Sequence, residues 1–563
     1  GYNFSQLETK WYRSTMQLNA NTSMGPSSLT QESKRTIYKT FQATANYEKN
    51  IGNHNINALV GYSFEEENQR TLKGSRDKFP GNDLPYMNAG SPDNQNVSGG
   101  GYDWAIQSVF GRLKYDYMGK YLFEATARYD GSSRFPPTKK YGVFPSVAVG
   151  WRLSEESFMD ATSDWLSMLK VKASWGKLGN QNIGNYPWQS LYALGQNYTV
   201  GGALSQGSAM TVYSDPTIHW ESTQTADAGV EVVLWDGLIS FNASYFNRRT
   251  EDILYKPTSS VSSVLGMNLS EINTGSLKNT GWEFDLSHQK SFGDFSYNIS
   301  ANFSIIKNKV LDLGVGNVEQ SNGLVGNGDN LFLGFPMEVY YGYKTDGVFL
   351  NQEDIDSWYE KNDQSSLMPK KSARPGDVRY VDLTGDGKVD AANDRTILGS
   401  RIPKYTYAFN LGMNYKGFDL NLFFQGVAGV KGRLEDYVGL AFYNLGSVQR
   451  WMWDGRFNPE NPQRYPAYPR LQILGNSSGN NGYLSDRWVM NANYLRLKNI
   501  QLGYTLPKSL TQSWKIDNLR IYVSAENPLT WSKYPKGWDP EANTGGDYYP
   551  LLATYTFGVN FKF

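Results

Sequence analysis

The sequence predicts an all-β protein, a transmembrane antiparallel β-barrel, on three observations. Charged residues make up 19% and aromatics 15% of the 563 positions, with 56 Gly and 39 Tyr against 27 Phe; soluble chains devote about a quarter of their positions to charge. Mean hydropathy is −0.54, and no apolar run approaches the roughly 18 residues of a membrane-crossing helix. Several segments instead alternate apolar and polar residues over about ten positions, the period of a strand with lipid on one side and a wet lumen on the other. Lumen residues then dilute the lipid-facing ones, so the average hydropathy conceals the membrane.

The clearest segments set this pattern. From Tyr297, one face reads Tyr297, Ile299, Ala301, Phe303, Ile305 and the other Ser296, Asn298, Ser300, Asn302, Ser304. From Tyr405, the outward set Tyr405, Tyr407, Phe409, Leu411, Met413, Tyr415 opposes Thr406, Ala408, Asn410, Gly412, Asn414. Aromatics at both ends of an apolar middle suit two membrane interfaces. The final segment repeats it, with Leu551, Ala553, Tyr555, Phe557, Val559, Phe561 and Phe563 on one face. Weaker alternation begins near Ile37, Ile56, Ala105, Tyr121, Val143, Leu169, Gln224, Ile239, Trp282, Phe418, Tyr494 and Leu519, and residues 2–18 supply a further strand. The expectation is about 15–16 strands. Lys170 and Lys172 alternate with Val171 and Ala173, which points both lysines into the lumen.

The gaps alternate between short and long. Glu48–His54, Asp116–Lys120, Trp235–Gly237, Gln289–Asp294 and Lys416–Gly417 are short; Arg152–Ser167 and Pro507–Asn518 are short connections with a helical character. Glu67–Asp103, Leu178–His219, Thr250–Thr280, 308–403 and 428–491 are long. Short periplasmic turns and long extracellular loops keep this parity in outer-membrane barrels, which places Phe563 on the periplasmic side.

Composition also excludes functions. Equal counts of 54 basic and 54 acidic residues argue against a nucleic-acid partner bound through phosphate neutralisation. The lack of cysteine removes disulfides, thiolate metal sites and Cys nucleophiles. Three scattered histidines, His54, His219 and His288, have neither metal nor triad spacing. No signal peptide or initiator Met precedes Gly1, so a mature or truncated chain is expected.

The stretches Asn493–Pro507 (NYLRLKNIQLGYTLP), Asn518–Trp531 (NLRIYVSAENPLTW), Gly537–Ala542 (GWDPEA) and the ending Thr556–Phe563 (TFGVNFKF) resemble the SusC/RagA family of TonB-dependent outer-membrane transporters from Bacteroidetes. Upstream stand Tyr121–Phe135 (YLFEATARYDGSSRF), Phe144–Phe158 (FPSVAVGWRLSEESF), Met337–Leu350 (MEVYYGYKTDGVFL) and Pro375–Gly399, in the family's order from about residue 102 to the end. The resemblance implies a barrel of about 22 strands around an N-terminal plug. It also implies energy from a TonB complex and a lid formed by a SusD-like surface lipoprotein. This chain would then be the C-terminal barrel portion, with the plug and about six strands outside it. Its cargo would be an oligosaccharide or oligopeptide. The alternatives are a passive porin of about 16 strands, or an outer-membrane adhesin or enzyme with its site in the loops, where Glu353, Asp354 and Asp356 lie.

The sharpest local chemistry is Asp382-Leu-Thr384-Gly-Asp386-Gly-Lys388-Val-Asp390. Alternating oxygen ligands, with Gly at the sixth place, match the start of an EF-hand-like Ca2+ loop, the Lys388 carbonyl being one ligand. The resemblance implies closure by an Asp before Arg; Asp394 precedes Arg395 but lies one residue late, with Asn393 in the twelfth place. Asx and Gly turn chemistry alone is the other reading of the same residues. Trp451 and Trp453 are candidates for stacking on substrate, against loop self-packing or lid docking; Tyr340, Tyr341 and Tyr343 invite the same pair of readings. Phe563, a C-terminal aromatic on an outward-alternating strand, resembles the signal read by the outer-membrane assembly machinery.

Overall fold

The computed structural model describes the chain except residues 257–265, 315–317, 329, 364–366, 369, 444–445, 473–480, 543–548 and 550. Among the described residues, sixteen strands are hydrogen-bonded in a sheet whose order is the chain order. They are β1 (Tyr2–Arg13), β2 (Ser28–Ile51), β3 (His54–Asp77), β4 (Asn96–Tyr117), β5 (Tyr121–Ser132), β6 (Tyr141–Arg152), β7 (Leu166–Asn180) and β8 (Glu221–Leu234). Then follow β9 (Ile239–Glu251), β10 (Ser276–Phe292), β11 (Phe295–Asp312), β12 (Tyr405–Tyr415), β13 (Phe418–Ala428), β14 (Tyr494–Thr505), β15 (Asn518–Ser532) and β16 (Thr554–Lys562). The chain divides into two compact units: Gly1–Val149 with Trp175–Gln224 and Asp252–Asn273, and the remaining residues.

In the first unit, β2 and β3 are paired without a bulge from Ile51↔His54 to Ser28↔Asp77. Their hairpin closes through Gly52 at φ +58°, a conformation L side chains adopt at a cost. One face carries the pairs Phe41↔Phe64, Ala43↔Tyr62 and Ala45↔Val60. The other carries an ionic cluster, with Arg128 donating to Asp130 (2.6 Å), Ser108 (2.7 Å) and Ser63 (3.2 Å). The connection expected at Glu67–Asp103 shrinks to residues 78–95, because β3 runs on to Asp77 and β4 starts at Asn96. Beyond the membrane neither face meets lipid, so a strand continues there on its hydrogen-bond ladder with no apolar alternation to announce it.

The second unit shows what the pairing register does. Tyr297, Met413, Leu420, Leu502, Val523 and Phe557 are cross-strand neighbours in one row over β11–β16. One residue along, Asn298, Gly412, Asn421, Gln501, Ser524 and Thr556 form the adjoining row on the opposite face. Side chains alternate with period two, so one choice of register fixes an entirely apolar face and an entirely polar or small one. Aromatic contacts border the apolar face at both ends. Tyr245, Trp282, Phe284, Phe303 and Tyr405 follow one another at centroid spacings of 5.2, 6.0, 6.4 and 6.1 Å. Toward the short turns, Phe295 meets Tyr415 (6.4 Å) and Phe418 meets Tyr504 (4.5 Å).

The short turns fall where they were expected. Lys416 (φ +46°) and Gly417 (φ +87°) make the tightest, joining β12 to β13; positive φ at both central residues matches the right-handed strand twist. The helical character of the longer short-side links is present as 3-10 turns at Leu153–Glu155 and Ser157–Thr162 and a helical turn at Lys508–Thr511.

This register makes opposite predictions for adjacent residues of β13. Leu422→Arg, flanked by Leu411 and Ile500, should cost about 2–4 kcal/mol of folding free energy in lipid vesicles. Asn421→Arg on the other face should stay within about 0.5 kcal/mol. Urea titration read by electrophoretic heat-shift checks both.

Candidate functional site

The polar face leads at its long-loop end to residues 313–404 and 429–493, which fold together. Helix α1 (Gln352–Lys361) starts at Asn351, whose side chain accepts the Asp354 N–H at 2.9 Å. It turns Ile355, Trp358 and Tyr359 into a core with Tyr343, Phe349, Val378, Tyr380 and Val389. The second loop closes that core: Tyr483 meets Tyr343 and Tyr380 edge-on at 6.0 and 5.9 Å. Three carboxylates tie the loops together. Asp377, with no exposed surface, accepts from Arg470, from Asn481 (3.1 Å) and from the Arg374 amide (2.9 Å). Asp486 accepts the Thr345 amide (3.0 Å) and hydroxyl (2.6 Å). Asp354 accepts from Arg464 (2.6 Å) and Arg379 (3.1 Å). Desolvation opposes ionisation of Asp354, but these arginines and the Leu350 amide hold its carboxyl below the usual carboxylate range.

The acidic segment of the first loop is a set of interlocked turns. Asp382 accepts from the amides of Thr384 (3.1 Å), Gly385 (2.6 Å) and Gly387 (2.9 Å). Asp386 accepts the Lys388 amide (3.2 Å), and Asp390 accepts those of Ala392 and Asn393 (both 2.9 Å). Asp394 is fully buried and accepts from Leu383 and Asp390 (both 2.8 Å). Burial pushes the Asp394 carboxyl up despite these amides. At Asp382 and Asp390 burial also opposes ionisation, and there the amide bonds prevail and hold both below the usual range. Lys388 reaches Asp390 (3.4 Å) and Asp386 (3.8 Å) with its ammonium. Among the described residues no three His, Asp or Glu side chains are grouped to hold a metal ion. As arranged, the donor set fits a hydrogen-bonded turn better than a cation cage.

The aromatic candidates separate. Trp451, on the short helix Arg450–Gly455, packs edge-on against Tyr468 at 5.4 Å and donates to Gln449 at 2.8 Å, an acceptor it shares with Trp538 at 3.2 Å. Trp453 is half exposed and carries the Arg456 guanidinium over its ring at 3.9 Å. Tyr340, Tyr341 and Tyr343 are all buried, on the strand Val339–Tyr343 paired with Arg395–Ser400. Phe563 stands exposed beyond β16, edge-on to Phe561 at 5.2 Å. Lys170 and Lys172 share Glu231 at 3.0 and 2.5 Å.

Sequence reasoning missed the most buried cation. Arg496 of β14 has 1% exposed side chain and donates to both oxygens of Asp539 (2.8 Å each), to Glu541 (2.9 Å) and to Thr530 (3.0 Å). The signal was present in two of the stretches that carry the resemblance, NYLRLKN and GWDPEA, whose charges are complementary.

A sheet with one apolar, aromatic-bordered face, one polar face and short–long parity through nearly the whole chain is the wall of an outer-membrane β-barrel. Residues 1–428 match the family of TonB dependent receptor-like β-barrels, and the chain belongs to it. It is 32% identical over 553 residues to TonB-dependent receptor P3 of Formosa agariphila, covering 92% of this chain and 51% of that protein. To TonB-dependent receptor SusC of Bacteroides thetaiotaomicron it is 30% identical over 469 residues, covering 81% and 44%. The structure of the RagAB peptide transporter superposes with a TM-score of 0.80 at 25% identity, over 99% of this chain and 59% of that one. The RagAB peptide importer in its open-open state gives 0.81 at 25%, over 100% and 58%. The chain thus spans about half the length of the relatives it matches.

Two measurements probe the loops. Asp377→Ala removes the buried carboxylate shared by both and should destabilise the loop core by about 3 kcal/mol; limited proteolysis should then cut within 313–404 and 429–493 while the heat-shift of the barrel is retained. For the acidic turn, the melting temperature should be the same with calcium and with chelator. A rise with calcium that Asp386→Ala abolishes would instead assign a cation to the loop.

Proposed function

We propose that this chain forms the wall and the long-loop subdomain of an active outer-membrane importer of the SusC/RagA type. Loops and a SusD-like lipoprotein lid would capture an oligosaccharide or oligopeptide too large for porins. A TonB complex would then remodel a plug lying outside this chain. The observation that carries this reading is the joining of a polar wall to a folded, aromatic-rich loop core, in a chain that superposes on the RagAB peptide transporter along 99% of its length. A passive pore has no need of such a subdomain. The chain itself would perform no covalent chemistry, in keeping with a family of receptors and transporters.

Cells carrying the full-length protein should accumulate labelled oligopeptide or oligosaccharide. A protonophore should abolish that uptake, because TonB transmits the inner-membrane gradient. Uptake that survives the protonophore would assign a passive pore instead.

A further inference from the structure

A cavity of about 340 Å3 opens where the long-loop ends of β13 and β14 meet the first long loop. Its floor includes Val427 and Tyr494, cross-strand partners on the same polar face as Gln425 and Arg496. The wall is rigid: Arg496 fastens Glu541, another lining residue, and Arg401 donates to the Tyr340 hydroxyl at 3.0 Å. Arg433 is matched by Glu435 at 3.3 Å. Lys431 differs. Among the described residues its ammonium has no hydrogen bond or ion pair. The stem lies against Gly399, where φ is +137° and a Cβ would stand 2.5 Å from the Lys431 Cγ. Only glycine leaves that space. At the rim, Glu338 holds a left-handed backbone (φ +52°) with its side chain exposed, a strained conformation of the kind found around ligand sites.

From a Lys431 ammonium with no partner among the described residues, in a cavity that Arg401 and the buried Tyr340 and Tyr494 also line, we propose that this cavity binds a carboxylate group of the solute. This deepens the import reading and rests on it: the lining belongs to the polar face along which cargo would travel. A carboxylate on the cargo can be the C-terminus of a peptide or a uronate of an oligosaccharide, and both present the same charge to Lys431.

The test uses the full-length protein in detergent and calorimetric titration with pentaalanine, pentaalanine amide, trigalacturonate and maltotriose. One carboxylate ligand should bind about tenfold tighter than its neutral counterpart, the fold-change expected of a single charge-assisted hydrogen bond. Preference for pentaalanine over its amide assigns a peptide terminus; preference for trigalacturonate over maltotriose assigns a uronate. Lys431→Gln should erase the preference and Lys431→Arg should keep it, both variants retaining the heat-shift of a folded barrel. Equal binding of charged and neutral ligands, or a preference that survives Lys431→Gln, overturns the proposal. Protonophore-sensitive uptake in cells separates the two readings: uptake without carboxylate preference sinks the pocket alone, and carboxylate binding without such uptake sinks the import reading alone.

Discussion

Hydrocarbon offers no partner to a peptide N–H or C=O, so every backbone polar group within the membrane must be paired inside the sheet. The rest of this structure depends on that constraint. It makes each crossing segment a strand, makes each strand pair with its sequence neighbour, and thereby fixes a side-chain period of two. Once Asn298 pairs with Gly412 and Gly412 with Asn421, the apolar residues on either side of each have no choice of face. Register here is a decision about solvent, and a slip of one residue would present Asn, Gln and Ser to lipid over six strands.

That constraint also explains what could be read from the sequence. Alternation is strong where one face meets lipid, so the segments from Tyr297, Tyr405 and Leu551 announced themselves, and the parity of short and long gaps followed. It fades where both faces are wet. The continuation of β3 through Thr71, Leu72 and Lys73 to Asp77 carried no periodic signal, because a ladder in water needs only its hydrogen bonds. The loops were legible as loops and not as a folded body. Their core is built from aromatic residues far apart in the chain, and the contacts that close it, such as Tyr483 against Tyr343 and Asn481 against Asp377, obey no local period. The same holds for Trp451: the sequence offered stacking on substrate against loop self-packing or lid docking, and the contact it makes with Tyr468, at the border of the loop core, spans a gap no local period shows.

The acidic segment shows how one composition serves two chemistries. Asp, Thr and Gly at alternate places suit a hard cation, and the same residues satisfy each other's amides in consecutive turns. Spacing sets where the last carboxylate falls. With Asn393 in the twelfth place and Asp394 one step beyond, the last carboxylate is drawn under the turn to receive Leu383 and Asp390. Its burial raises the cost of a negative charge there, which three backbone amides only partly offset.

Buried charge in this chain is therefore chiefly a fastening device. Arg496 with Asp539 and Glu541, and Asp377 with Arg470 and Asn481, each sit where a loop meets the wall or another loop. A desolvated ion that loses its partner is far worse placed than one left in water. Such groups permit one loop arrangement and penalise the others, holding a polar surface in shape without a large apolar core beneath it. Among the described residues the Lys431 ammonium, which lines the cavity, has no such partner. Its stem lies close over Gly399, and the residue lines a cavity on the wet face. The partner that this position on the wet face suits is a group that comes and goes.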